Sequence, residues 1–167
     1  KELQPFVPNW DAPNPFRVLD PEGPEMAKYR IITFWGGRGS GKTTAVAGAT
    51  AHVMSEYSMR VLAAREYQVS IKESSKKEIE DAIESLALDG FEITNMEIRN
   101  YETGSTCSFK GLWQNVRSLK SIAGINWVWI EEGQQLTKDT MEILFPSIRV
   151  HGNRIIITMN PEDEDDF

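Results

Sequence analysis

The run Gly36-Gly37-Arg38-Gly39-Ser40-Gly41-Lys42-Thr43 has the form G-x-x-x-x-G-K-[ST]. Each residue type in it suits phosphate binding. Glycines let backbone amides turn inward around phosphate oxygens, where larger side chains would stand in the way. A helix beginning at Lys42 adds its exposed first-turn amides and the positive end of its dipole. In such a loop the lysine, Lys42, reaches the β- and γ-phosphates and the hydroxyl of Thr43 ligates Mg²⁺. Thr44 is placed to contact the α-phosphate. The expected nucleotide-binding set is therefore Gly36, Gly37, Arg38, Gly39, Ser40, Gly41, Lys42, Thr43 and Thr44, with ATP and Mg²⁺ as ligands. A glycine-rich turn that binds nothing is the bland alternative. It is disfavoured because an apolar strand precedes the loop and a helical pattern follows it.

Farther along, Trp127-Val128-Trp129-Ile130 runs into Glu131-Glu132. An apolar strand ending in two carboxylates has a Walker B arrangement. Glu131 is expected to hold Mg²⁺, directly or through water. Glu132 is expected to orient and polarise the attacking water. Successive side chains on a strand point opposite ways, so the chain must turn just past the strand end to bring both acids to one task. Glu stands at the metal position, where Asp is commoner. The last apolar run ends in Thr158-Met159-Asn160-Pro161. Asn160 is placed to sense the γ-phosphate, although Asn-Pro by itself reads as a turn starter.

Other phosphate-loop chemistries fit less well. No Asn-Lys-x-Asp that would specify guanine is present. After the second acid the arginines are Arg149 and Arg154, too few for the arginine-rich lids of small-molecule kinases. Hydrolysis, with Glu132 activating water, fits better.

These groups need a scaffold. Ile31 to Trp35, Arg60 to Ala64, Trp127 to Ile130 and Arg154 to Thr158 are short apolar runs of the kind buried in a parallel sheet. Helices are expected from Lys42 to about Met54, from Ser70 to Leu88, and from Thr137, a capping residue, to about Phe145, with Pro146 helping to stop the last. Phe91 to Lys110 alternates around the turn-like Glu102-Thr103-Gly104-Ser105 and reads as short antiparallel strands. The expected fold is α/β: a mostly parallel sheet sandwiched by helices, with a small antiparallel insert. Trp127 and Trp129 share one sheet face and read as packing. Cys107 reads as a core or edge residue.

Composition bounds the rest. The 167 residues fit one domain, with 40% hydrophobic and 26% charged residues. A net charge of -7 argues against gripping nucleic acid through an all-over basic face. One cysteine and two histidines, His52 and His151, make an internal disulfide impossible and a zinc site unexpected. A reducing, cytosolic setting is the simplest fit. No apolar run approaches the ~20 residues of a membrane helix, and no signal peptide is evident. Six of the eight prolines fall in the first 24 residues, so residues 1–28 read as an extended arm pinned by Phe6, Trp10 and Phe16. The chain reads as part of something longer, ending in an acidic run, Glu162 to Asp166.

Taken together the residues resemble the ATPase domain of tailed-bacteriophage large terminase subunits. The likeness is carried by the phosphate loop, Ala64-Arg65-Glu66 with Gln68 and Ser70, and Lys120-Ser121-Ile122-Ala123-Gly124. It continues through Trp129-Ile130-Glu131-Glu132-Gly133, Pro146-Ser147-Ile148-Arg149 and Thr158-Met159-Asn160-Pro161. It runs from about Tyr29 to Pro161. The resemblance implies a phosphate-loop ATPase of the additional-strand, catalytic-glutamate (RecA-like) type. It implies ATP hydrolysis that drives double-stranded DNA into a procapsid in the host cytoplasm. The implied partners are a portal protein, a small terminase subunit and further copies in a ring. No membrane is involved. A C-terminal nuclease domain is expected beyond an acidic linker, residues 162–167. A helicase or recombinase-like ATPase acting on nucleic acid is the alternative.

The resemblance also assigns roles. Thr158 and Asn160 look like the motif coupling hydrolysis to movement. Arg38 looks like an arginine finger supplied in cis. The other reading of Arg38 is a salt bridge to Glu131, Glu132 or Glu66. Arg65 and Glu66 resemble a nucleotide-responsive or adenine-side segment, against the simpler reading of an ion pair closing a strand. Lys72, Lys76, Lys77, Arg117 and Lys120 are candidates for DNA phosphate contacts, or merely solvated.

Overall fold

Seven strands and three α-helices are built from these patterns in the computed structural model, which describes residues 18–20, 28–67, 74–113 and 124–160. In chain order they are β1 (Ile31–Trp35), α1 (Lys42–Glu56), β2 (Arg60–Arg65), α2 (Ser75–Ser85), β3 (Phe91–Ile93), β4 (Glu97–Asn100), β5 (Thr106–Gly111), β6 (Trp127–Glu131), a short 3-10 turn (Gly133–Gln135), α3 (Lys138–Ser147) and β7 (Arg154–Met159). They form one sheet in the order β1-β7-β6-β2-β5-β4-β3. β1, β7, β6, β2 and β5 are mutually parallel, and β3 and β4 are antiparallel. β7 lies between the phosphate-loop strand and the acidic strand, as the additional-strand type implies.

The three central parallel strands, β7, β6 and β2, are apolar on both faces because helices cover both. β1, expected to be buried, is an edge strand that leaves Ile31, Thr33 and Trp35 exposed, and β5 buries one face only. The side chains sort strictly by parity. Val61 and Ala63, Trp127 and Trp129, and Ile156 pack with α1 and α2. Leu62 and Ala64, Val128 and Ile130, and Ile155 and Ile157 pack with α3 through Leu144 and Ile148. On the first face large sheet residues meet small helix residues. α1 buries Ala45, Ala47, Gly48, Ala49 and Ala51, and its alanines also favour the helix intrinsically. The Trp127 indole donates to Thr50 Oγ1 at 3.1 Å, so its one polar atom is satisfied inside the core.

Several expectations change. β2, β6 and β7 each run one residue farther at the carboxyl end than the apolar pattern suggests, taking in Arg65, Glu131 and Met159. β5 pairs parallel with β2 as well as antiparallel with β4. Alternation of Cys107 and Phe109 marks a strand but carries no information on the direction of its partner. Cys107 is a core residue, and burial pushes its thiol pKa up, out of the reactive range. Of the helix expected from Ser70 to Leu88, the described part is α2, Ser75–Ser85, which ends three residues early; Ser70 and Lys72, like Arg117 and Lys120, lie outside the described residues. Pro146 falls inside the last turn of α3, which ends one residue later. Arg30 reaches across to donate to the carbonyls of Phe145 and Ile148 at 2.6 and 2.7 Å, closing that helix end. The arm residues Phe6, Trp10 and Phe16 and the acidic run lie outside the described residues. Leu19, by contrast, is fully buried in the α1-side core, a placement the proline-rich context gave no hint of. Among the described residues no helix is long and apolar enough to cross a membrane.

Two local conformations give stability tests. Ala87, just past α2, adopts a positive φ of 49°. Ala87→Gly is expected to raise stability by about 1 kcal/mol, the cost of a left-handed non-glycine residue. A Cβ on Gly133 would collide with Ile157 Cγ2. Gly133→Ala is expected to lower stability by about 2 kcal/mol through overpacking. Urea denaturation midpoints check both.

Candidate functional site

The parity that sorts the core also assembles the site. Arg65, Glu131 and Thr158 continue the α1-facing rows of β2, β6 and β7 to their carboxyl ends. Ligands of open parallel sheets bind at that edge. The phosphate loop joins the end of β1 to α1 at the same edge.

The loop's backbone is shaped by its glycines. Gly39 and Gly41 hold φ values of 75° and 81°, a region open to glycine and costly for other residues. A Cβ built on Gly37, Gly39 or Gly41 would meet nothing within 4 Å, so the space beside the loop is open. Gly41 is the N-cap of α1 and supplies no side-chain bond, and the first turn carries no acid. Among the described residues no acidic side chain bonds the leading amides of α1, the condition under which a helix N-terminus attracts a phosphate.

Lys42 is buried to 9% exposure. Its Nζ shares its three protons among four acceptors: the carbonyls of Gly36 and Gly37 at 2.7 and 3.0 Å, Ser40 Oγ at 2.9 Å and Asn160 Oδ1 at 3.0 Å. All four acceptors are neutral. Desolvation holds its pKa below the ordinary lysine value. An ammonium in such a setting gains strongly from an arriving anion. The contact with Asn160 ties the last strand to the loop's charged side chain across 118 positions of sequence. Asn160 also donates its backbone N–H to Gln134 Oε1 at 3.2 Å, on the turn after the two acids.

Glu131 is buried at 6% exposure. Its Oε2 accepts from Arg65 Nε at 3.0 Å, from Arg65 Nη2 at 2.9 Å, from Ser74 Oγ at 2.7 Å and from Ser75 Oγ. Glu132 follows in a left-handed conformation, φ 56° and ψ 49°, which directs it away from the strand's alternation. That conformation costs a non-glycine residue about 1–2 kcal/mol, and such outliers cluster at functional sites. Glu132 Oε1 lies 3.5 Å from Arg65 Nη2, so one guanidinium bridges both acids. Thr158 is buried, and its hydroxyl accepts from the Trp129 indole at 3.1 Å. Thr44 Oγ1 donates to Glu78 Oε2 at 3.2 Å.

Mg²⁺ fits these donors. Thr43 and Glu131 offer hard oxygens, and Mg²⁺ is usually held by one or two such protein groups together with phosphate oxygens and water. Among the described residues no cluster of three acidic, histidine or cysteine side chains forms a closed cage for it.

The salt-bridge reading of Arg38 does not match the structure. Arg38 is exposed and, among the described residues, makes no ion pair, while Arg65 takes Glu131 and Glu132. Glu66 is not the partner of Arg65 either. Its Oε1 accepts from Thr137 and Thr140 at the start of α3 at 3.2 and 2.9 Å. Lys76 and Lys77 pair with Glu80 and Asp81 one turn along α2. Sequence reasoning missed Ser74, Ser75, Glu78 and Gln134. Each meets its partner through the fold, and the one local signal, serines at a helix start, reads as capping.

Comparison with known proteins places this geometry. No curated protein matches the chain. Among solved structures, the large terminase of a thermophilic bacteriophage aligns with a TM-score of 0.70 at 11% identity, over 87% of this chain and 37% of that one. The same terminase in complex with ATP-gamma-S gives a TM-score of 0.66 at 11% identity, over 87% and 36%. The N-terminal domain of the DNA packaging ATPase from bacteriophage phi29 gives 0.60 at 16% identity, over 77% and 72%. At these identities the likeness establishes the RecA-like fold. The chain spans 37% of the length of the thermophilic phage's terminase. A family model described as phage terminase large subunit matches residues 28–167. With most of its length inside that match, the chain belongs to the phage terminase large subunit family.

Proposed function

We propose that this chain is the Mg²⁺-dependent ATPase of a DNA-packaging motor, hydrolysing ATP to drive double-stranded viral DNA into a procapsid. The observation that carries the reading is the buried Lys42, held among the described residues by neutral oxygens and linked to Asn160, beside an open loop of amides and two carboxylates. The solved terminase with ATP-gamma-S supports the choice of nucleotide. Family membership supports the choice of work.

In this reading the amides of Gly37 to Lys42 and the Lys42 ammonium hold the phosphates. Thr43 and Glu131 would hold Mg²⁺, which when bound offsets the negative charge on the phosphate oxygens. Glu132 accepts a hydrogen bond from the attacking water and orients it toward the γ-phosphorus. Its left-handed backbone is what frees it to do so. Arg38, exposed on the loop, reaches the transferring phosphoryl group as a finger in cis. A γ-phosphate competes with Asn160 for Lys42. Its arrival and loss therefore change what holds the end of β7, with Thr158 fixed to Trp129 just before it. That is the route proposed from hydrolysis to movement.

The motor acts in the host cytoplasm during virion assembly, as a homo-oligomeric ring on the portal protein, with the small terminase subunit and DNA as further partners. Residues 1–28 serve as an arm, 29–161 as the ATPase domain, and 162–167 as the start of a linker to a nuclease domain.

Glu132→Gln is expected to bind ATP normally and to lose ~10²–10⁴ in turnover, the usual worth of a general base. Fluorescent-nucleotide binding and phosphate release in the portal-assembled motor check it. Retained turnover excludes Glu132 as the base. Arg38→Ala is expected to keep binding and lose ~10³–10⁵ in rate under the same assay. A wild-type rate rules out the finger.

A further inference from the structure

Helix α2 begins against two groups: Glu131, which the proposed function assigns to the metal, and Thr44, which the sequence places at the α-phosphate. Ser74, its N-cap residue, is of a type that normally accepts from the helix's own amides, yet it makes no capping bond. Its hydroxyl donates instead to Glu131 Oε2 at 2.7 Å, and the Ser75 hydroxyl donates to the same oxygen. One turn later, Glu78 Oε2 accepts from Thr44 at 3.2 Å. The first turn of α2 therefore touches the metal-side carboxylate and the phosphate-side hydroxyl together.

Both contacts stand in competition with ligand. Glu131 Oε2 already receives two N–H groups of Arg65 and two hydroxyls, more donors than the two lone pairs of a carboxylate oxygen accommodate well. A divalent cation that takes this oxygen displaces some of them. Thr44 has one hydroxyl proton, and a phosphate oxygen that takes it leaves Glu78 without its donor. Farther along, Ile79, Ala82 and Ile83 are buried in the core beneath α1. The helix body is anchored, so any response is confined to the first turn.

We infer that the first turn of α2 is a nucleotide-sensing latch: its contacts with Glu131 and Thr44 are the ones that Mg²⁺ and ATP must displace to take both groups, and taking them releases the turn. The latch rests on the ATPase reading and adds to it a second responding element, in contact with groups other than those Asn160 touches. Ser74 and Ser75 act through Glu131 and are positioning residues.

Two measurements on the full-length protein test it. Hydrogen exchange of residues 74–80 is expected to quicken when ATPγS and Mg²⁺ are added together. In a titration of Mg²⁺ against binding of a fluorescent ATP analogue, Ser74→Ala/Ser75→Ala is expected to lower the half-saturating Mg²⁺ concentration by about tenfold, the effect of removing one competing charge-assisted hydrogen bond. Unchanged or slowed exchange in the wild type overturns the latch. So does a half-saturating concentration that stays the same or rises in the variant, the result expected if the serines only support the fold or the bound metal. If the wild type binds the analogue at no Mg²⁺ concentration, the ATPase reading falls and the latch with it. Binding with no difference between the proteins sinks the latch alone.

Discussion

A period of two residues, held in register across three parallel strands, is the constraint on which the rest depends. It fixes Val61, Ala63 and Arg65 on one face of β2, and Trp127, Trp129 and Glu131 on the same face of β6. It fixes Ile156 and Thr158 likewise on β7, where Thr158 stands opposite Glu131. The inner residues of each row are core and the last ones are chemistry. A slip of one residue in any strand would send its terminal polar group to the α3 face, away from the phosphate loop. Hydrophobic packing therefore sets the register on which the polar contacts of the site depend.

The polar contacts then resolve what packing leaves costly. Arg65 and Glu131 are both at 6% exposure. Burying either alone would be prohibitive, and burying both gives weak net stability because desolvation offsets attraction. Such a pair makes more sense as a device for keeping two charges in place than as a fastener. Lys42 follows the same logic, with neutral oxygens in place of a counter-ion. The site holds its cations ready without neutralising them all internally. The cost of that readiness is spread over hydrogen bonds from the loop, the last strand and the start of α2.

Much of this was legible in the residues. The phosphate loop, the acidic pair, the four main apolar strands and the Thr137 cap follow from local rules that act within a few residues, and the structure has each element at that place. The resemblance supplied the family. What stayed hidden depends on separation in sequence. Ser74 lies 57 positions from Glu131, and Asn160 lies 118 from Lys42. No periodicity encodes such meetings. The strand ends were read one residue short because the apolar signal fades where functional polar residues take over. Direction was illegible for β5, since alternation looks the same whether the neighbour runs parallel or antiparallel. Leu19 was hidden by its prolines, which mark a chain as irregular without saying whether it is covered.

The fit between α1 and the sheet has a mechanical meaning. Two full-sized indoles rise from β6 into a helix surface of alanines and a glycine, and one indole is bonded to Thr50 on that helix. Close-packed interiors of this kind resist small displacements and change, if at all, between discrete arrangements. Helix and sheet thus behave as a single block, like a key cut to one lock. The phosphate loop is mounted on that block and cannot shift far without it. Whatever travels when nucleotide comes and goes must belong to parts bolted on by a few polar contacts: the frame stays, and the moving parts are carried at its rim.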